Sequence, residues 1–104
     1  SEAQYNLGVM YDNGEGVAQD PQKAVQWFQK AADLGYAKAQ FSVGRMYSEG
    51  VGVAQDYNEA VQWYRKAADQ GLTSAQFRLG AMYFKGDGIT QDYNEAVQWY
   101  RKAA

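Results

Sequence analysis

At 104 residues, 46% of them hydrophobic and 15% aromatic, the chain is one compact unit and too apolar for disorder. A formal net charge of −2, with Lys and Arg scattered, leaves no clustered positive footprint for a nucleic acid, and no apolar run approaches the ~18 residues that insertion across a membrane needs. With neither Cys nor His, the chain lacks disulfides, zinc sites of the Cys/His kinds and the usual general base, so no metal and no cofactor is expected.

In chain order, the first expected element is a helix. Ala3, Leu7, Met10 and Tyr11 fall at i, i+4, i+7 and i+8, one face of an α-helix. Gly8 inside it implies close approach of a neighbouring helix, where a Cβ would clash. Gly14 suits a left-handed C-cap, Gly16 allows a turn, and Val17 re-enters the core. A second helix starts at Asp20, a strong N-cap, with Pro21 at the first helical position. Ala24, Val25, Trp27, Phe28, Ala31 and Ala32 form its wide apolar stripe, Lys30 lies in the last turn where a cation suits the helix dipole, and Gly35 ends it.

The rest of the chain repeats this plan every 36 residues: Gly8, Gly44 and Gly80; Tyr11, Tyr47 and Tyr83; Trp27, Trp63 and Trp99. Aligning on Ala3, Ala39 and Ala75 gives units 3–38, 39–74 and 75–104. The run 55–68 recurs unchanged at 91–104, a mark of duplication. Asp56 with Glu59, and Asp92 with Glu95, have capping-box spacing. A fixed period of this size signals stacked helix-loop-helix units, none of which buries its apolar stripe alone. The Trp and Tyr columns are therefore expected to pack between units. The chain opens Ser-Glu-Ala without Met and stops at Lys-Ala-Ala, as a stretch of a longer array would, and the last second helix is expected to expose its stripe. Such an end could support self-association.

The recurring pattern Ala-x-x-x-Leu/Val-Gly-x-Met-Tyr-x-x-Gly-x-Gly-Val/Ile-x-x-Asp-x-x-x-Ala-Val-x-Trp-Phe/Tyr-x-Lys-Ala-Ala resembles the Sel-one-like repeat, a relative of the tetratricopeptide repeat. The resemblance covers nearly the whole chain, and the Gly-x-Gly insertion separates it from the shorter tetratricopeptide unit. It implies an all-α, right-handed α/α solenoid whose concave face is lined by first helices. It also implies a scaffold or adaptor that binds a protein or peptide partner. An alternative is a regulator or immunity-type inhibitor that occludes one enzyme or toxin; a remote one is a hydrolase. Bacterial members are often secreted, periplasmic or envelope-linked. Some members carry a disulfide in every repeat, and this chain departs from that branch.

Enzymatic motifs are missing. The Gly-x-Gly loops lack the third glycine, the preceding strand and the Gly-Lys-Ser/Thr of nucleotide-binding loops; Gln19, Gln55 and Gln91 stand at the third-glycine position. Ser1, Ser42, Ser48 and Ser74 are followed three positions later by Gln4, Arg45, Val51 and Phe77, so no Ser-x-x-Lys exists, and without His there is no Ser-His-Asp triad. Asp12, Glu15, Glu49 and Asp87 lie at loops and helix ends, where solvated carboxylates are the default. No catalytic residue is expected.

Binding is expected where the copies differ. On the first helices those sets are Glu2/Lys38/Ser74, Asn6/Ser42/Arg78, Val9/Arg45/Ala81, Asp12/Ser48/Phe84 and Asn13/Glu49/Lys85, with Tyr5, Phe41 and Phe77 beside them. In tetratricopeptide relatives the corresponding stripe lines the concave groove. Arg45, suited to bidentate carboxylate contacts, and Phe84, aromatic where the other copies carry Asp12 and Ser48, stand out as hot spots.

Overall fold

A computed structural model describes residues 1–104. It contains six helices and no strand: α1 (Glu2–Asn13), α2 (Pro21–Asp33), α3 (Ala37–Glu49), α4 (Tyr57–Asp69), α5 (Thr73–Lys85) and α6 (Tyr93–Ala103). Each helix packs on its neighbours in sequence, giving an α/α solenoid of 43 × 24 × 20 Å.

The helix ends form as the sequence predicts. Gly14, Gly50 and Gly86 adopt left-handed C-caps, and their N–H groups reach Met10, Met46 and Met82. The side chains of Asp20, Asp56 and Asp92 accept from the N–H groups of Lys23, Glu59 and Glu95. The reciprocal half of the expected capping box is replaced. The backbone N–H of each capping Asp donates instead to Tyr11, Tyr47 or Tyr83, tying the second helix to the end of the first at 2.9–3.0 Å.

Gly8, Gly44 and Gly80 do mark close approaches, and what approaches is an aromatic ring of the same unit. A Cβ there would lie 2.6 Å from the Phe28 ring, 2.9 Å from Tyr64 and 3.0 Å from Tyr100. The second loop glycine has a role that its turn does not reveal. Gly52 rests on the start of the preceding unit's second helix, where a Cβ would stand 2.5 Å from the Pro21 carbonyl oxygen; Gly88 rests on Tyr57 in the same way. Gly16 meets only the tip of Met10.

The core lies between units. One cluster joins Ala24, Val25, Phe28, Ala31 and Ala32 of α2 to Ala39, Val43 and Met46 of α3. The other joins Ala60, Val61, Tyr64, Ala67 and Ala68 of α4 to Ala75, Leu79 and Met82 of α5, with Trp99 closing it. Trp63 packs against the first cluster as Trp99 does in the second. Lys30, Lys66 and Lys102 lie 4.6, 4.4 and 4.5 Å from the ring centres of Trp27, Trp63 and Trp99. The outer face of each indole thus carries a cation rather than bare apolar surface.

Buried glutamines bind one unit to the next. Gln40 and Gln76 donate through Nε2 to the carbonyls of Ala32 and Ala68, which also accept from the N–H groups of Gly35 and Gly71 at the helix ends. Gln70 donates across the same boundary to Gly35 O, and within its own unit to Gln40 Oε1.

The ends differ from the middle. Ala39 and Met46 are buried, whereas Ala3 and Met10, their equivalents in α1, are exposed; of the α1 residues only Gly8 is buried. The stripe read on α1 therefore lacks the neighbour that α2 and α4 provide for α3 and α5. At the other end Val97 is 46% exposed where Val61 is 5%. The stripe of α6 is exposed only in part, at Val97, because Ala96 and Trp99 are buried.

Candidate functional site

The Gly-x-Gly loops are internally satisfied. In the first, the N–H groups of Gly14 and Glu15 both reach the Met10 carbonyl. Gln19, Gln55 and Gln91 fold back and donate to the carbonyls of Asp12, Ser48 and Phe84 at 2.8–2.9 Å. These loops follow helix C-termini, whose partial negative charge repels anions. A phosphate cradle needs the opposite polarity. The chain has no cluster of three metal-ligating side chains, and no helix is long and apolar enough to cross a membrane.

The first helices share a surface. Across it Arg45 of α3 reaches Asp12 of α1, Nη2 to Oδ2 at 3.0 Å, and its Nη1 lies 3.5 Å from Glu49 Oε1. The guanidinium that the sequence offers to a partner's carboxylate is thus already held by two carboxylates of this chain. Ser42 is buried and donates its hydroxyl to the Lys38 carbonyl. This half of the surface is closed.

One unit further on, the equivalent positions carry different chemistry. Ser48 stands for Asp12, Arg78 for Ser42, Ala81 for Arg45 and Lys85 for Glu49. Ser48, Arg78, Ala81 and Lys85 line an open cavity of about 170 Å³ together with Tyr57, Tyr64, Met82 and Asp87. No ion pair engages Arg78 or Lys85; Arg45 makes the only two in the chain. Tyr64, the counterpart of Phe28, is buried, and its hydroxyl sits beside Ser48 without a well-formed hydrogen bond. Burial pushes its phenol above the usual range, while nearby Arg78 and Ser48 oppose that shift. A second, shallower hollow of about 470 Å³ adjoins the first through Arg78 and is lined by Phe41, Thr73, Ser74, Phe77 and Ala103. Phe77 is 56% exposed and stacks on Tyr100 at 5.5 Å.

Of the residues singled out by sequence, Phe41, Ser74, Phe77, Arg78, Ala81 and Lys85 gather around these two hollows. The others are spread elsewhere. Glu2, Asn6 and Lys38 are exposed, and Asn13 donates to Glu15 at 3.0 Å. Val9 packs on the first core cluster, and Tyr5 lies against Phe28 and Tyr36, at 5.6 and 5.4 Å. Phe84 borders neither hollow; half exposed, it stacks on Tyr93 at 5.5 Å. Tyr57 and Tyr64 are lining residues that the sequence reading passes over, and Asp87 is one that it treats only as a solvated loop carboxylate. The column Phe28, Tyr64 and Tyr100, which gains a hydroxyl after the first unit, is the signal that could have found one of them.

The profile of the Sel1 repeat matches the chain three times, at residues 1–36, 37–72 and 73–104. Among solved structures, a Sel1 repeat protein from Oxalobacter formigenes is 44% identical with a TM-score of 0.95, over 98% of this chain and 42% of that one. The protein c5321, a protective antigen of uropathogenic Escherichia coli with an SLR fold, is 52% identical with a TM-score of 0.97, over 98% of this chain and 22% of that one. Helicobacter pylori cysteine rich protein B is 26% identical with a TM-score of 0.82, over 97% and 78%. The chain thus spans less than half of the first two proteins. No curated protein matches it.

Proposed function

The chain belongs to the Sel1 repeat family, and from that premise we propose that it is a scaffold module that binds a protein or peptide partner across the surface lined by α1, α3 and α5. Sel1 repeat proteins generally mediate protein–protein interaction, and the family is typically non-enzymatic. One observation carries the choice of surface. Residues that keep the 36-residue period build the stack, and several that break it meet around two adjoining hollows between α3 and α5. Phe77 offers an exposed ring and Arg78 an unpaired guanidinium, residue types enriched at binding hot spots.

The test is partner capture by the protein and two sets of variants. Phe77→Ala and Arg78→Ala should each weaken capture at least tenfold with little change in melting temperature, because both side chains are exposed. Gln26→Ala and Gln62→Ala, on exposed positions of the second helices, should leave it intact. Loss in the second set with retention in the first would move the interface to the opposite face.

A further inference from the structure

The cavity between α3 and α5 has a lining that suits one kind of group. Its volume of about 170 Å³ is below the roughly 300–1,000 Å³ of sites that enclose a small molecule, and fits the tip of one side chain or chain end. Arg78 and Lys85 bring two positive charges without ion pairs. Asp87 is the one carboxylate on the lining, and the charge of nearby Glu49 is held by Arg45. Ser48 and Tyr64 add two hydroxyls, that of Tyr64 buried beside Ser48 without a well-formed hydrogen bond. A buried hydroxyl without a partner is unfavourable, by about 1–3 kcal/mol in general, and a ligand that accepts from it removes the penalty.

The chain contains its own precedent for what such a place accepts. One unit earlier, the groove between first helices is filled by a carboxylate on a guanidinium, Asp12 on Arg45. At the second junction Ser48 takes away that internal carboxylate, and Ala81 takes away the side chain that filled the space. Arg78 and Lys85 put cations where Ser42 and Glu49 stood. We propose that this cavity binds a carboxylate of the partner, an acidic side chain or a free C-terminus, on Arg78 and Lys85 with Ser48 and Tyr64 as further donors. Arg78 also borders the hollow beside Phe77, so the carboxylate sits next to a place for an apolar neighbour. This rests on reading the first-helix surface as the partner-binding one, and adds the chemistry it selects.

The test uses three N-acetylated tripeptides and nitrogen-15-labelled protein at low salt, followed by amide chemical shifts. One peptide is acetyl-Ala-Ala-Glu-amide, the second acetyl-Ala-Ala-Gln-amide, and the third acetyl-Ala-Ala-Ala with a free C-terminus. A single carboxylate in an open site binds weakly, on the order of millimolar. Saturable shifts at Ser48, Arg78 and Lys85 are expected from a carboxylate peptide and not from the Gln peptide. Response to the Glu peptide alone assigns the site to acidic side chains; response to the free acid alone assigns it to chain ends. Arg78→Ala should weaken the response at least fivefold, and Arg101→Ala, an exposed cation on α6, should leave it unchanged. Equal response to the Gln peptide, survival in Arg78→Ala, or silence from both carboxylates overturns the proposal. If the carboxylates fail while Phe77→Ala still abolishes partner capture, the surface assignment stands and only the carboxylate site falls.

Discussion

Between α1 and α3 the groove is closed by Arg45, with Asp12 at 3.0 Å and Glu49 at 3.5 Å. Between α3 and α5 the same repeat positions carry Ala81, Ser48 and Lys85, and the groove stands open. The backbone beneath does not differ in kind. At both junctions a glutamine reaches the last carbonyls of the preceding helix, a loop glycine rests on the preceding second helix, and an Ala, Val or Leu, and Met row is buried. The stack is therefore built by one set of residues and the groove by another. Groove chemistry is free to invert from two carboxylates around one guanidinium to two cations beside one carboxylate without disturbing the core.

The largest test of that separation lies in the shared backbone. Gly52→Ala would place a methyl 2.5 Å from the Pro21 carbonyl oxygen at a φ of 76°. The left-handed conformation and the overpacking together should cost about 3 kcal/mol in urea denaturation. Gly88→Ala should cost a similar amount, and Gly16→Ala, which meets only a flexible Met10 tip, about 1 kcal/mol. A gap above about 1 kcal/mol between the two junction variants would mean that the junctions differ in the backbone and not only in the groove.

Smaller effects probe the grooves themselves. Arg45→Ala should cost about 1 kcal/mol, because Asp12 and Glu49 are left facing each other, though both sides of the main pair remain partly exposed (27% and 22%) and water screens them. The loss should shrink at high salt. Tyr64→Phe, which copies Phe28, should stabilise the chain by about 1 kcal/mol at neutral pH by removing the unpaired hydroxyl, and should weaken the carboxylate response. An unchanged or lower melting temperature would show that the hydroxyl is satisfied in the native state. The smallest effect is the most pointed. Ser48→Asp with Ala81→Arg rebuilds the first junction's ion pair at the second. A double-mutant cycle should show a favourable coupling of about 0.5 kcal/mol, and the cavity should cease to respond to carboxylates.

Much of this fold could be read before any coordinate. The period, the helix order, the Asp N-caps and the glycine C-caps are all carried by residue type and spacing, because caps and amphipathic stripes are local rules. The candidate site was legible only in part. Ser74, Arg78, Ala81 and Lys85 emerge from asking where the copies differ, with Phe41 and Phe77 beside them. Arg45 looked equally free, and nothing local reveals that Asp12, 33 positions earlier, lies against it. Tyr64 looked like core, which it is, yet its hydroxyl lines the cavity without a partner.

By itself the sequence determined the repeat, its helices and their ends, since a 36-residue period of stripes, caps and glycines admits one way of stacking. Only the tertiary structure decided which of the variable positions were spent on each other and which were left unpaired. That depends on distances between side chains of successive units, and residues about 33 positions apart acquire a distance only once the units stack.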